Sequence, residues 1–150
     1  ASDGIRSNVH PYSSAGHSSR FNFYVGVVKK QKGRILSDLF KVCQYIRDCL
    51  TFEHCSTVIG VDYVDHLSTV YHLTNYYNGV MIELVTDIPA DDLHVDSVTP
   101  LWEGANWHER ETYELFGIIF DGHPKLERLL TPQSYEFFPF RKSYKLRGSQ

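Results

Sequence analysis

Residues 106–123 hold the side chains of this sequence that could do chemistry. They include neighbouring charges and two histidines: His108, Glu109, Arg110, Glu111 and His123. Neighbouring residues of a helix point about 100° apart, so Glu109 and Glu111 diverge. Arg110 and Glu114 are four residues apart and can pair. Three interpretations stay open: a solvated surface helix, an ion-pair network buried in the chain or at an interface, and an acid–base site of the two glutamates assisted by a histidine.

The residues around these charges predict a short helix over 107–116. Asn106 is a favourable N-cap, and Glu109 lies three residues later, where its carboxylate can reach back to the N-cap amide. Glu109 and Glu111 would also lie in the first turn, near the positive end of the helix dipole. Gly117 can end the helix in a left-handed conformation.

No recognisable device for holding a redox cofactor or a metal appears in the sequence. The three cysteines, Cys43, Cys49 and Cys55, are six residues apart and form no CxxC pair. Nucleotide and zinc motifs such as GxGxxG, GxxxxGK[ST] and HExxH are absent. His10 and His17 have no third ligand nearby. We therefore expect no cofactor in this chain, with Cys43 in the core and His72 half-buried in a strand.

Hydrophobic periodicity predicts an α+β fold. Strands are expected over residues 21–28, 56–63, 68–75 and 80–85, and a helix over 34–50. Asn78-Gly79 is a strong hairpin signal between the last two strands. The expected fold is a small antiparallel or mixed sheet with one packing helix, followed by the short motif helix and an extended C-terminal arm.

The length of the chain favours one domain, and its charge does not favour binding to nucleic acid. The chain has 150 residues and a net charge of −3, which gives no basic face for nucleic acid. No apolar run approaches the roughly 20 residues of a membrane span. We expect an irregular N-terminal arm over residues 1–20, a folded domain over 21–130, and a C-terminal arm over 131–150. The last arm is rich in aromatic and basic residues, which suits contact with a partner protein.

Several blocks of the sequence resemble one protein family. The run Glu-Arg-Glu-Thr-Tyr-Glu-Leu-Phe-Gly-Ile over residues 109–118 is followed by Gly-His-Pro at 122–124 and by Arg128. Pro-Phe-Arg-Lys-Ser-Tyr at 139–144 and Asp-Ser-Val-Thr at 96–99 complete the pattern. In this order the blocks resemble the thirty-kilodalton, C-type subunit of respiratory complex I. Two positions depart from that family: Glu127 replaces a basic residue, and Ser143 replaces an aspartate.

The resemblance implies a cofactor-free structural subunit in the peripheral arm of a proton-translocating dehydrogenase that passes electrons from a reduced donor to a quinone-like acceptor. It would bind the large hydrogenase-like (D-type) subunit of the quinone site and lie near the cluster-bearing B-type and I-type subunits. Iron–sulfur clusters and a flavin or other input cofactor would belong to those partners. NADH, ferredoxin or reduced deazaflavin F420 could be the donor. The same subunit in a membrane-bound energy-converting hydrogenase is the alternative.

The resemblance also implies where the chain works and which residues carry its role. We expect an obligate hetero-oligomer, peripheral to the cytoplasmic (or stromal or matrix) face of an energy-converting membrane, with no span of its own and no catalysis by the isolated chain. Glu109, Arg110 and Glu111 would form a buried ion-pair network, while Arg128, Arg141 and Lys142 would bind carboxylates or carbonyls of the partner. The full predicted interface is Glu109, Arg110, Glu111, Tyr113, Phe116, His123, Arg128, Phe140, Arg141, Lys142 and Tyr144.

Overall fold

The structure, a computed structural model, describes residues 22–29 and 38–145. The predicted N-terminal arm and the start of the predicted first helix, at residues 34–37, lie outside this part. The elements in chain order are β1 (Asn22–Lys29), α1 (Asp38–Asp48), β2 (His54–Asp62), β3 (His66–Asn75), β4 (Val80–Pro89), β5 (His94–Asp96), α2 (Ala105–Phe116) and β6 (Ile119–Asp121).

Four strands form one mixed sheet in the order β1-β4-β3-β2. β1 runs parallel to β4, whereas β2, β3 and β4 form an antiparallel meander. The turn between β3 and β4 contains the predicted Asn78-Gly79 pair, with Gly79 at φ 68°. Asn75 shapes this turn, since its side-chain oxygen accepts the backbone N–H groups of Tyr77 and Asn78. The predicted α+β fold and hairpin are confirmed.

One face of the sheet is covered by helices and forms the core. Val58, Tyr71 and Leu84 lie opposite one another on three adjacent strands, and all are buried. From α1, the apolar stripe of Leu39, Cys43 and Ile46 is buried in the same core. The predicted packing helix is thus confirmed, but it ends at Asp48, and Leu50 is 42% exposed. Cys43 is a core residue, as predicted, and the three cysteines are free thiols.

A second, two-stranded parallel sheet joins β5 to β6. β5 is not among the predicted strands, because three residues are too few to show a period. Val95 and Phe120 pair in register and are both buried, so this small sheet extends the core beneath α2. It also places the Ser97–Thr99 segment beside that helix, where its donors face Glu109.

α2 packs closely on β2 because Gly60 has no side chain. A Cβ built at Gly60 would lie 2.5 Å from Cδ2 of Phe116, the last residue of α2. One turn earlier, the Thr112 hydroxyl donates a 3.1 Å hydrogen bond to the carbonyl oxygen of Val58 in the same strand. The glycine and the threonine together let the helix approach the sheet and fix its position along the strand.

Gly60→Ala should therefore lower the free energy of unfolding by about 1–3 kcal/mol, the usual cost of overpacking a core. Denaturant unfolding measures this change. Gly104→Ala is the matched control, because the nearest atom to its new Cβ is 3.8 Å away. We expect that control to stay within about 0.5 kcal/mol of the parent. Equal stabilities of the two variants would show that the ring of Phe116 can move aside freely.

Candidate functional site

The start of α2 differs from the prediction, and its end agrees with it. The helix begins at Ala105 after Gly104, and no side chain caps it. Asn106 is therefore inside the helix, and neither Glu109 nor Glu111 lies in its first turn. A side-chain cap is not needed, because carbonyl oxygens of the preceding turn accept the N–H groups of Ala105 and Asn106. At the other end Gly117 adopts φ 75° and donates to the Tyr113 carbonyl, as predicted.

Glu109 points into the protein and fastens a loop to α2. Its side chain is fully buried, with 0% exposure. The carboxylate accepts hydrogen bonds from the Ser97 hydroxyl at 2.6 Å, the Val98 N–H at 2.7 Å and the Thr99 hydroxyl at 3.0 Å. The prediction that this carboxylate returns to the helix N-cap is therefore wrong. The donors of residues 97–99 are used instead of the N-cap amide. Because the carboxylate is buried, leaving it without hydrogen bonds would be costly.

His123 lies beside this carboxylate without forming a short contact to it. Its Nε2 is 4.0 Å from Glu109 Oε2, and both side chains are fully buried. The Nδ1 atom accepts the Lys125 backbone N–H, so Nε2 carries the proton and donates it to the Asn106 carbonyl oxygen. These bonds assign a neutral imidazole that ties the 122–125 turn to the start of α2.

Burial changes the proton affinity of both groups. It raises the pKa of Glu109 to about 7, although the hydrogen bonds from Ser97, Val98 and Thr99 favour the charged form. It lowers the pKa of His123, and the positive charge of Arg110 acts in the same direction. The carboxyl group of Glu109 therefore loses its proton near neutral pH, while the imidazole of His123 stays neutral.

Glu114 is a second buried carboxylate on α2 and serves a different loop. It accepts backbone N–H groups from Leu129, Leu130 and Thr131, and the Thr131 hydroxyl as well. Burial alone would raise the pKa of Glu114, but these four donors outweigh it and hold that pKa below its usual range. The expected pair with Arg110 does not form, because the backbone donors occupy this carboxylate.

The adjacent charges of the motif divide between the interior and the surface. Arg110 is half-buried, with its Nε–H bonded to the Glu127 carbonyl oxygen at 3.1 Å and its guanidinium 5.5 Å from the Trp107 ring. Glu111 is exposed. The structure thus does not bring Glu109, Arg110 and Glu111 together as one network within the chain. It also keeps apart Glu109 and Glu111, the two glutamates of the acid–base interpretation, because Glu109 is buried in the core and Glu111 is exposed.

Residues 131–145 lie along the C-terminal end of α2. The Phe140 N–H binds the Leu115 carbonyl oxygen at 3.1 Å, and the Arg141 Nε–H binds the Phe116 carbonyl oxygen at 2.6 Å. The Lys142 N–H donates to Asp62 Oδ2 at 2.8 Å, at the end of β2. Residues 131–145 of the predicted C-terminal arm are therefore bonded to the rest of the domain, and residues 146–150 lie outside the described part of the chain.

Two arginine side chains lie against the ring of Phe138 in this arm. The guanidinium of Arg128 lies 5.3 Å from the Phe138 ring, and that of Arg141 lies 4.7 Å from it. Arg128 is only 7% exposed and donates to the Thr131 hydroxyl and to the Phe137 carbonyl oxygen. Within the described residues, Arg128 and Arg141 thus bind carbonyl oxygens of their own chain. Their predicted bonds to a partner stay predictions. Gly117 makes room, since a Cβ there would meet both Phe138 and Arg141.

The outer side of the arm displays large apolar side chains. We name these the arm surface: Leu130, Tyr135, Phe137 and Phe140, exposed by 80%, 36%, 55% and 60%. Phe137 has edge contacts with Tyr135 and with the half-buried Tyr144, whereas Phe140 meets Phe116 of α2 edge-on. Of the predicted interface residues, Phe140 and Lys142 are exposed, and Tyr113 and Phe116 lie on the inner side. Leu130, Tyr135 and Phe137 of the arm surface were not among the predicted interface residues, although the aromatic composition of the arm drew attention to two of them.

The two departures from the family pattern lie at the surface. Glu127 forms an exposed pair with Lys125 at 3.6 Å, and Ser143 is exposed beside Lys142. His72 is half-buried and bonded to Glu83 at 2.9 Å, as predicted for a satisfied strand histidine. Within residues 22–29 and 38–145, no group of three or more His, Cys, Asp or Glu side chains could hold a metal ion. Across the same residues, no helix is both long and apolar enough to cross a membrane.

The raised pKa of Glu109 predicts a pH-dependent stability. Folding raises the pKa of Glu109 from 4.5 to about 7. The resulting contribution to the free energy of unfolding is fully present below pH 4.5. The contribution, about 3 kcal/mol, is lost as the pH rises through 7. Glu109→Gln cannot titrate, so the parent should lose about that much stability relative to this variant between pH 4 and pH 8.

Denaturant unfolding at several pH values measures this difference. Glu111→Gln is the control, because it makes the same substitution at an exposed position of the same helix. Parallel profiles for the parent and Glu109→Gln would contradict the assignment of Glu109 as the titrating group.

Known proteins resemble the chain over most of the described part. The sequence model of the family described as "Respiratory-chain NADH dehydrogenase, 30 Kd subunit" matches residues 36–150. The C-type subunit of NADH-quinone oxidoreductase from a Nocardioides species is 45% identical over 117 residues, which are 74% of this chain and 47% of that protein. The C-type subunit of F(420)H(2) dehydrogenase from Methanosarcina mazei is 42% identical over 107 residues, or 69% of this chain and 68% of that protein.

Two solved structures have a similar fold. A trypsin-resistant fragment of Nqo5 matches with a TM-score of 0.58 and 28% identity, covering 69% of this chain and 83% of that one. A chain of the archaeal membrane-bound sulfane sulfur reductase matches with a TM-score of 0.63, covering 90% and 76%. Its 22% identity indicates the fold alone.

The match to the family extends over more than half of the sequence and includes the α2 motif and the arm. The chain spans about half the length of the first curated relatives that it matches, 47% and 46%. It covers two thirds of the Methanosarcina mazei protein. The chain belongs to the family of the 30 Kd subunit of respiratory-chain NADH dehydrogenase.

Proposed function

We propose that this chain is a cofactor-free structural subunit in the peripheral arm of a complex I-like, proton-translocating dehydrogenase. The observation that carries the proposal is the arm surface, which consists of three exposed aromatic side chains and Leu130 on a segment bonded to Leu115 and Phe116 of α2. Tyrosine, phenylalanine and arginine are enriched at protein interfaces. The relatives from a Nocardioides species and from Methanosarcina mazei are named as subunits of oxidoreductases, which supports the same role.

The chemistry of the chain fits assembly better than catalysis. The described residues present no cluster of metal ligands, and the buried glutamate of the motif serves the fold. Electron transfer between clusters depends on their spacing, so a rigid subunit that fixes the positions of its neighbours can be essential without reacting itself. The electron donor and the acceptor would be bound by other subunits, and we expect no catalysis by the isolated chain.

The expected partners follow from the family. The large hydrogenase-like, D-type subunit would cover the arm surface, and the B-type and I-type subunits with iron–sulfur clusters would lie nearby. Relatives named for NADH-quinone and for F(420)H(2) enzymes leave the donor open. The complex would stand on the cytoplasmic, stromal or matrix face of the membrane, with this chain attached to it through the partner subunits.

An arm that is already folded suits this binding. Its backbone donates to Leu115 and Asp62, and two guanidinium groups contact the ring of Phe138. Association then immobilises few additional groups, which lowers the entropy cost of binding. The exposed rings of Phe137 and Phe140 are suited to act as the central contacts, since a few aromatic residues usually dominate the binding energy of an interface.

Phe137→Ser should weaken assembly while leaving the domain folded, because its ring is 55% exposed and lies on the outer side of the arm. Loss of a central aromatic contact costs about 2 kcal/mol or more, or roughly a thirtyfold weaker association. The measurement is tagged purification of the chain from gently solubilised native membranes, with co-purifying subunits quantified by mass spectrometry.

Tyr77→Ser is the control, since Tyr77 is 88% exposed in the β3–β4 turn at the opposite end of the sheet. Retention of all partners by Phe137→Ser and by Arg141→Ala would contradict the proposed interface. A nickel-binding large subunit among the partners of the parent chain would assign it to the hydrogenase branch, and the input subunits would identify the donor.

A further inference from the structure

A cleft of about 290 Å³ opens where the arm meets the turn between β2 and β3. Its apolar lining, which we call the apolar wall, includes Val64, Leu67 and Leu93, and its polar lining, the polar wall, includes Asp62, Arg141 and Lys142. The cleft adjoins the arm surface through Phe140, the residue before Arg141. It therefore combines an apolar wall with two cations and one anion at the edge of the proposed interface.

The single carboxylate of the cleft is already satisfied. Asp62 accepts the Val64 N–H at 2.7 Å with Oδ1 and the Lys142 N–H at 2.8 Å with Oδ2. Burial would raise the pKa of Asp62, but these two bonds and the nearby cations lower it, so Asp62 is charged near neutrality. Its role is to join the turn to the arm.

The two cations keep binding capacity. In the part of the chain that the structure describes, no carboxylate lies within ion-pair distance of Arg141 or Lys142. Of the three guanidinium nitrogens of Arg141, only Nε is hydrogen-bonded within the described residues, to the Phe116 carbonyl oxygen, so the two terminal nitrogens remain available. The ammonium group of Lys142 is on an exposed side chain. The polar wall thus has an excess of positive charge, although the chain as a whole carries −3.

One residue of the apolar wall, Val64, has an unfavourable backbone conformation. Val64 has φ 81°, a region that β-branched residues rarely adopt, and it is 72% exposed. Such strain persists only where surrounding bonds enforce it, and here Asp62 does so through the Val64 N–H. An aliphatic side chain is therefore displayed to solvent next to two cations.

We propose that this cleft binds an acidic residue of a partner subunit, with the carboxylate on Arg141 and Lys142 and a neighbouring aliphatic side chain against Val64 and Leu93. The inference rests on the proposed function and specifies the chemistry of the partner segment. A carboxylate fits the planar fork of one arginine. The apolar wall favours a peptide over a phosphate ion, since a peptide supplies an aliphatic neighbour to the charge.

Zero-length carbodiimide coupling of the purified, intact complex tests this directly, because it joins an amine only to a carboxyl group in contact with it. Mass spectrometry should find Lys142 joined to an Asp, a Glu or a C-terminus of another subunit. Lys41, exposed on α1, is the control lysine and should give no such product. A Lys142 product with Asp62, with a lipid, or with nothing would overturn the proposal.

Charge reversal gives a second test that separates the cleft from the arm surface. Lys142→Glu should reduce partner retention at least about tenfold through like-charge repulsion, whereas Lys41→Glu should not. If Lys142→Glu retains its partners at the wild-type level and Phe137→Ser loses them, the proposed binding at the cleft would be contradicted. The proposed function would then be unaffected. Full retention by both variants would instead overturn the proposed function.

Discussion

α2 carries two buried carboxylates, and each must find donors inside the protein, because burying an unpaired charge costs several kcal/mol. Glu109 takes its donors from residues 97–99, and Glu114 takes its donors from residues 129–131. The two positions are about 140° apart around the helix, five residues at 100° each. They therefore fasten segments on different sides of α2. The rest of the C-terminal half depends on this arrangement, since these segments bury few apolar side chains of their own.

The position of the arm follows from the second carboxylate. Glu114 fixes the backbone at Leu129 to Thr131, where the arm begins, and Arg128 is buried beside it. From that start the chain returns along α2 until Arg141 and Lys142 bind the helix end and the tip of β2. Phe138 fills the inner side of this path. The next aromatic residues on either side have no core to enter, so they remain on the outside as the arm surface.

The sequence predicted the fold well where elements are long and periodic. α1, the three-stranded meander and the Asn78-Gly79 turn showed clear signals and formed as expected. β5 and β6 were missed, because strands of three residues show no period. The N-cap at Asn106 was wrong, since backbone carbonyls satisfy the helix start and Glu109 turns to Ser97 and Thr99 instead. A capping-box pattern cannot distinguish these outcomes, because the competing donors lie ten or more residues away along the chain.

The motif of adjacent charges has a different meaning in the structure from the one its spacing suggested. Glu109 is bonded to Ser97 in the interior, and Glu111 is exposed to solvent. Arg110 lies over the Trp107 ring and donates a hydrogen bond to the Glu127 carbonyl oxygen. Arg128 and much of Arg141 are likewise used within the chain to shape the arm. Much of a motif that identifies a family can thus serve to fix the shape of the domain. What this shape presents outward is a rigid set of aromatic rings bordered by Lys142 and the free end of Arg141. The interface that we propose would therefore have an apolar centre and a charged rim, as many protein interfaces do.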